Sequence, residues 1–550
     1  MSAGLTFPGV AAPAARPSRL LPLFVALLTA AAAAGHACAH EGMAGMSDTA
    51  SLAKLGSVSF ETSCLRQVRS RFERAVALLH SFWLDESQRA FKDVAAADPD
   101  CSMAYWGVAL ASLHQINGEP STADLEAGKA ALARADKARE STPREAGYIR
   151  ALHAFYDGYA PEHYLEHAKA YASAMQSLVA AYPRDAEARA FYALGLLAAV
   201  APDDATLENP RRAVAVLYPL LRENPHHPGI AHYIIHACDN PRMAEQGLTA
   251  ARRYASIAPG VPHALHMPSH IFARLGLWQE DIRSNLASKA AAQRLHASAE
   301  NRLHAMEFLE YAYLQTGQDD AARALVQEAS MVRAADVNPA YPDYYEIVQA
   351  RLPALLAIET QDWSQAARLQ PVAGAGAHSQ GLTLLAHTIA AAHRRDAPSA
   401  AAAEQAYEAL LAREKNVRAG GGLDTLHHEI RAWAELTRGN PDAAVALLRP
   451  ISARQREVGK GEVELPAGEM MAEMALLAGD ATQALQAYQA SLVSDPNRLN
   501  ALLGAARAAE LSNQWALAKR YYQYALASCS AGGAAPRLQH ARDVVNSKPH

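Results

Sequence analysis

The feature that leaves this chain fewest options is a recurrence: His232 and His236 return 34 residues later as His266 and His270. A step of that length is one helix–turn–helix unit, too small to bury its own apolar face, so such units must stack. The same ruler fits elsewhere. Ala484, Tyr488 and Ser491 return as Ala518, Tyr522 and Ala525, and Phe91 stands before Pro99 as Tyr488 stands before Pro496. Gly479 precedes Ala484 by the offset that also separates Gly317 from Ala322 and Gly439 from Ala444. Small residues let neighbouring helices approach, the aromatic fills the gap between them, and proline stops the helix. Extended along the chain, the period predicts about twelve helical pairs, an all-α solenoid with a concave inner face.

Composition agrees. At 550 residues the chain is too long for one ordinary core; half of it is apolar and only 19% is charged. A net charge of −5 without any basic block excludes nucleic-acid binding through a positive face. Arg16 and Arg19 precede an apolar run at 20–28, and Ala37-Cys38-Ala39 offers a small-x-small cleavage site. Residues 1–39 are therefore expected to be a signal peptide, 40–60 a flexible leader, 61–535 the repeat array and 536–550 a C-terminal tail. The apolar run is too short to serve as a membrane span, so the mature chain is expected to be periplasmic or secreted with no span after cleavage. Cleavage there makes His40 the new N-terminus, a possible copper chelator with Met43 and Met46. In an oxidising compartment Cys64 and Cys101, 37 residues apart and each just before a first helix, are expected to pair. Cys238 and Cys529 are expected to be buried thiols.

Four strings carry a family resemblance: ALLHSF at 77–82, DPDCSMAYWG at 98–107, HYIIHACD at 232–239 and HALHMPSHIF at 263–272. In these the chain resembles large bacterial tetratricopeptide-repeat proteins, often exported. The resemblance implies a right-handed superhelix of tetratricopeptide type, the Cys64–Cys101 pairing, and a special role for the histidine-rich helices; it implies no activity. One departure is Gln115-Ile116-Asn117, where a Pro and a Trp often follow the histidine corresponding to His114.

In tetratricopeptide arrays positions 2, 5, 9 and 12 of each first helix face the groove. Setting position 1 at Pro228 and at Pro262 brings Gly229, His232, His236 and Asp239 inward, then His263, His266, His270 and Ala273. The following repeat, beginning near Leu303, adds His304 and Glu307 as secondary groove residues. Imidazoles on adjacent helices can share a cation, and nitrogen donors with a carboxylate suit Zn, Cu or Fe. The expected ligands are His232, His236, His266 and His270, with Asp239 or His263 assisting. The alternative for these rings is a hydrogen-bonded polar seam that packs the repeats. Pro268 should kink its helix and free a carbonyl. Tyr233 stands where a metalloprotease His-Glu-x-x-His helix carries its general base, which argues against hydrolysis by that route.

His80 and His114, also 34 apart, lie beside Phe82-Trp83 and Tyr105-Trp106 and are expected at the groove's edge or in the core. His427-His428-Glu429 suits a solvated helix start. No phosphate-binding glycine loop, nucleophile elbow or CxxC pair occurs. Two functions follow from the residues. One is an exported scaffold that holds a protein or peptide partner in its concave groove. The other is a metal-binding protein or metalloenzyme with a histidine-rich site in that groove.

Overall fold

The computed structural model describes residues 54–547, except 117–118, 139–140, 202–203, 339–340, 342, 416, 462 and 530–534. The expected signal peptide, its cleavage site and His40 lie outside the described residues. Helices follow one another with short turns, each packing on the next and often on the next but one, and no strand occurs among the described residues. That is the all-α, tetratricopeptide-type solenoid. No helix among the described residues is long and apolar enough to cross a membrane.

The repeat signals act as their chemistry requires. Gly317, Gly439 and Gly479 sit at the turns between paired helices with φ of 66°, 83° and 87°, a left-handed conformation that side chains with a Cβ resist. Five residues on, Ala322, Ala444 and Ala484 are fully buried where the second helix meets its neighbours. In the next first helix a glycine lets the aromatic in: a Cβ at Gly504 would lie 2.2 Å from the Tyr488 ring, and one at Gly107 2.4 Å from that of Phe91.

Six helices matter for the site: α1 (Arg69–His80), α2 (Pro228–Cys238), α3 (Pro262–His266), α4 (Pro268–Arg274), α5 (Trp278–Arg294) and α6 (Ala299–Gln315). Proline opens α2, α3 and α4 at the first turn, where its missing N–H costs nothing. Pro268 does more than kink its helix. It divides the segment into α3 and α4, with Met267 between them still right-handed. Carbonyls around the break are taken up by serines: Ser284 donates to Leu265 O at 2.5 Å and Ser269 to His266 O at 2.7 Å.

Cys64 and Cys101 are joined as a disulfide, their Cα atoms 4.8 Å apart. Cys238 is a buried thiol; Cys529 is only partly buried and donates its S–H to Ala525 O. Of the leader expected at 40–60, the described residues 54–60 pack on the array. Leu55 and Phe60 are buried, Ser57 N donates to His226 O, and the Phe60 ring packs on Phe72, Trp106 and Tyr148. The expected tail from 536 instead forms a turn and a helix, Gln539–Asn546, which packs through Leu538 and Ala541.

Late repeats also fasten onto the middle of the array. Arg498, 1% exposed, reaches Glu359 at 2.6 Å and Glu469 at 2.6 and 2.9 Å, and donates to the Tyr311 hydroxyl. Trp278 Nε1 donates to Asn497 O at 2.8 Å, and Arg537 pairs with Asp319. Removing one partner of a buried ion network strands the others in low dielectric. Arg498→Ala, which leaves two buried carboxylates uncompensated, is expected to destabilise the fold by about 3–5 kcal/mol. Chemical denaturation of the variant against the unaltered protein measures it.

Candidate metal centre

The groove histidines do not converge on one point; they form two sets of three. In the first, His232 and His236 of α2 meet His263 of α3; in the second, His266 of α3 meets His270 of α4 and His304 of α6. Within each set the three ring nitrogens lie within 4.8 Å of one another. His232 Nε2 is 3.0 Å from His236 Nε2 and 3.2 Å from His263 Nε2, and His266 Nε2 is 3.0 Å from His270 Nε2. Nitrogens bound to one tetrahedral ion at 2.0–2.1 Å stand about 3.3 Å apart. The three measured pairs stand close to that spacing, and the remaining nitrogens of each set lie within 4.8 Å.

This division departs from a single centre made of His232, His236, His266 and His270, and α3 is the reason. His263 and His266 are one turn apart, so the first turns back to α2 while the second turns on to α4 and α6. Pro268 breaks the helix between His266 and His270. The third histidine of the second set is a further step of the same period, since His304 follows His270 by 34 residues.

The far side of four of the six rings faces an acceptor. His232 Nδ1 lies 2.7 Å from the main-chain oxygen of His80, at the end of α1. Helix-terminal carbonyls lack an intrahelical partner, and here the His232 ring takes one up. His266 Nδ1 is 2.7 Å from Asn285 Oδ1, whose Nδ2 donates to Asp281 Oδ1 at 2.7 Å. His270 Nδ1 is 2.8 Å from Asp239 Oδ2, and Arg274 holds the other oxygen of that carboxylate at 2.9 Å. Behind His304 stands Glu307, 3.5 Å from Nδ1, bonded to Arg351 and Tyr344 at 2.5 Å each. Asp239 and Glu307 thus lie behind the His270 and His304 rings, the place outer carboxylates take in metal sites. Burial first, and then the neighbouring imidazoles, hold His263 and His266 well below the ordinary histidine range. His232 is lowered in the same way.

Two phenylalanines close over the sets. Phe82 lies with its ring centroid 4.5 Å from His232, 5.4 Å from His236 and 5.9 Å from His263. Phe308 does the same for the second set, 4.7 Å from His266, 4.8 Å from His270 and 5.5 Å from His304. Phe82 adopts φ 53°, a left-handed conformation that costs a bulky residue about 1–2 kcal/mol. The sharp reversal after α1 both frees the His80 carbonyl and lays this ring on the first set. Nothing in the sequence pattern marks that turn.

The remaining candidates fall into supporting places. His80 turns its ring away, with Nδ1 2.8 Å from the Tyr233 hydroxyl and Nε2 2.8 Å from Glu187, which His227 also reaches at 3.0 Å. Every nitrogen in this buried group has a hydrogen-bond partner, including His227 Nδ1, which accepts from Ile230 N. Gly229, a predicted groove position, is where the His80 ring sits; a Cβ there would lie 2.3 Å from its Nδ1. His114 lines a cavity of about 290 Å³ together with His263, His304, Phe82, Trp83 and Tyr344. His427 and His428 are partly exposed near the start of helix Gly422–Thr437 and belong to neither set.

No protein-family description and no curated protein matches this sequence. Solved structures of helical-repeat proteins do align with it. Cut9 in the Cut9–Hcn1 hetero-tetramer of the APC/C is 12% identical, covers 86% of this chain and 96% of its own, and gives a TM-score of 0.30. The human IFIT1 dimer with m7Gppp-AAAA is also 12% identical, over 87% and 99% of the two chains, with a TM-score of 0.34. The P58(IPK) TPR domain gives 12%, 87%, 98% and 0.20.

Glu307 supplies a pH test. Burial alone would raise its carboxyl; Arg351, with His304 and Tyr344, outweighs burial and brings it down to about 2 from the usual 4.5. A depressed folded value adds stability that is present above 4.5 and lost as pH falls toward about 2. Glu307→Gln should flatten this part of the acid-unfolding profile while lowering stability at neutral pH. Denaturation midpoints measured from pH 7 to about 2 check both.

Proposed function

We propose that this protein binds transition-metal ions at the two three-histidine sets inside a helical-repeat scaffold, and that it does so outside the cytoplasm. The observation that carries the reading is the meeting of His266 and His270. Asn285 Oδ1 and Asp239 Oδ2 each accept an N–H from the Nδ1 they face, so both Nε2 atoms keep their lone pairs. Those lone pairs point at each other across 3.0 Å, an arrangement that repels until a cation lies between them. A proton would join two rings and leave His304 idle. A metal ion uses all three.

The donor set indicates which metal. Three imidazoles without a carboxylate suit Cu, Zn or Fe and disfavour Mg and Ca. With three protein ligands per ion, a fourth coordination position is available for water or substrate, as catalytic rather than structural sites have it. The signal-like segment at 1–39 supports a periplasmic or secreted setting. A protein or peptide partner is the second reading. It rests on the architecture alone, since stacked helix pairs present extended concave surfaces that hold partner segments.

The test is metal analysis of the purified full chain after loading with zinc or copper and removal of excess. Two ions per chain are expected, and none in His232→Ala combined with His266→Ala, with helicity by circular dichroism unchanged. A wild-type chain that retains no ion would make the histidines a packing seam and overturn the reading.

A further inference from the structure

The two sets stand too close to act separately. Ring centroids of His263 and His266, from different sets, are 6.3 Å apart, and those of His236 and His270 are 6.5 Å apart. Within the second set alone, His270 and His304 already span 6.1 Å. Rings serving different ions are thus almost as near as rings serving one. One ring of each set, His263 and His304, also lines the same cavity, so the open positions of both ions can share one approach.

Charge narrows the metal further. Neither set contains a carboxylate ligand, and the two carboxylates behind the ligand rings are already compensated: Asp239 by Arg274 and Glu307 by Arg351. Two dications side by side in such a site have no anionic ligand from the protein. Two monovalent ions carry half that charge, and an oxidised pair needs a bridging anion from outside. Copper meets both conditions: Cu(I) accepts three imidazoles, and Cu(II) heads the affinity order for nitrogen donors.

Resting on the metal-binding reading above, we propose that the six histidines form one dinuclear copper centre that binds dioxygen between its two ions. In the reduced form each Cu(I) gives one electron. Dioxygen accepts both and becomes peroxide bridging two Cu(II) ions, its O–O double bond reduced to a single bond that stays unbroken; no proton moves and no group leaves. Phe82 and Phe308 supply apolar cover on the two sides, excluding water that would protonate and release the bound peroxide. The cavity beside Trp83 and Tyr344 is the entry for the gas and for any reductant.

Three measurements on the full chain test this, all after anaerobic loading with Cu(I). The unaltered protein should hold two copper ions, take up one dioxygen per pair, and then give no copper electron paramagnetic resonance signal, because two bridged Cu(II) spins cancel. His263→Ala and His304→Ala, made separately, should each keep one copper. Each should lose the one-per-pair uptake and show the signal of a single Cu(II) once oxidised. Two coppers with full independent signals in the unaltered protein would overturn the dinuclear centre and leave the metal-binding reading intact. Failure to retain copper, zinc or any other loaded ion would overturn both.

Discussion

Everything in this protein depends on helices approaching closely enough that equal positions of successive repeats fall beside one another. Ala322, Ala444 and Ala484 are buried at the contacts, and Gly107 and Gly504 leave the space that Phe91 and Tyr488 occupy. A methyl group at either glycine would meet an aromatic ring well inside contact distance. With the spacing held this tightly, residues one period apart become neighbours in space, and a histidine repeated in sequence becomes a ladder of imidazoles. The site is thus a consequence of packing before it is a consequence of ligand chemistry.

Such a ladder is costly to build. Ordinary hydrogen-bonded pairing is what His80, Glu187 and His227 achieve nearby, where donors and acceptors alternate. Around His266 and His270 the acceptors are all on the outer side, so the inner faces present lone pairs to one another. The outer acceptors are of three kinds, a helix-end carbonyl behind His232, an amide behind His266 and a carboxylate behind His270. Each comes from a different element, so ring orientation is fixed by the tertiary fold and not by the two-histidine helices themselves.

Much of this could be read from residue order. The period located the solenoid, the Gly/Ala offsets marked turns that indeed take left-handed glycine, and the inward positions named His232, His236, His263, His266 and His270. The grouping of those rings could not be read. It depends on a one-turn difference between His263 and His266 and on the degree to which Pro268 divides a helix, and periodicity treats both as equivalent inward positions. Outer partners were harder still. Asn285 lies on the second helix of its repeat, and the His80 carbonyl comes from a helix 152 residues away in sequence. The Phe82 reversal left no trace, because a phenylalanine is among the residues least suited to that conformation. The late repeats' attachment through Arg498 was equally hidden: an isolated arginine at a helix start reads as a surface residue.

That attachment changes what kind of object the array is. In an open stack each repeat feels only its neighbours, so ends can fray and units can be added or lost one at a time. Here Arg498 ties a late repeat to Tyr311 and Glu359 in the middle, and Trp278 reaches Asn497 across the same junction. A spring with its last coil fastened to an inner one can neither stretch nor lose that coil without opening the rest. The helices beneath the histidines are therefore held from both directions along the chain, and the rings inherit a rigidity that a linear stack of the same length would lack.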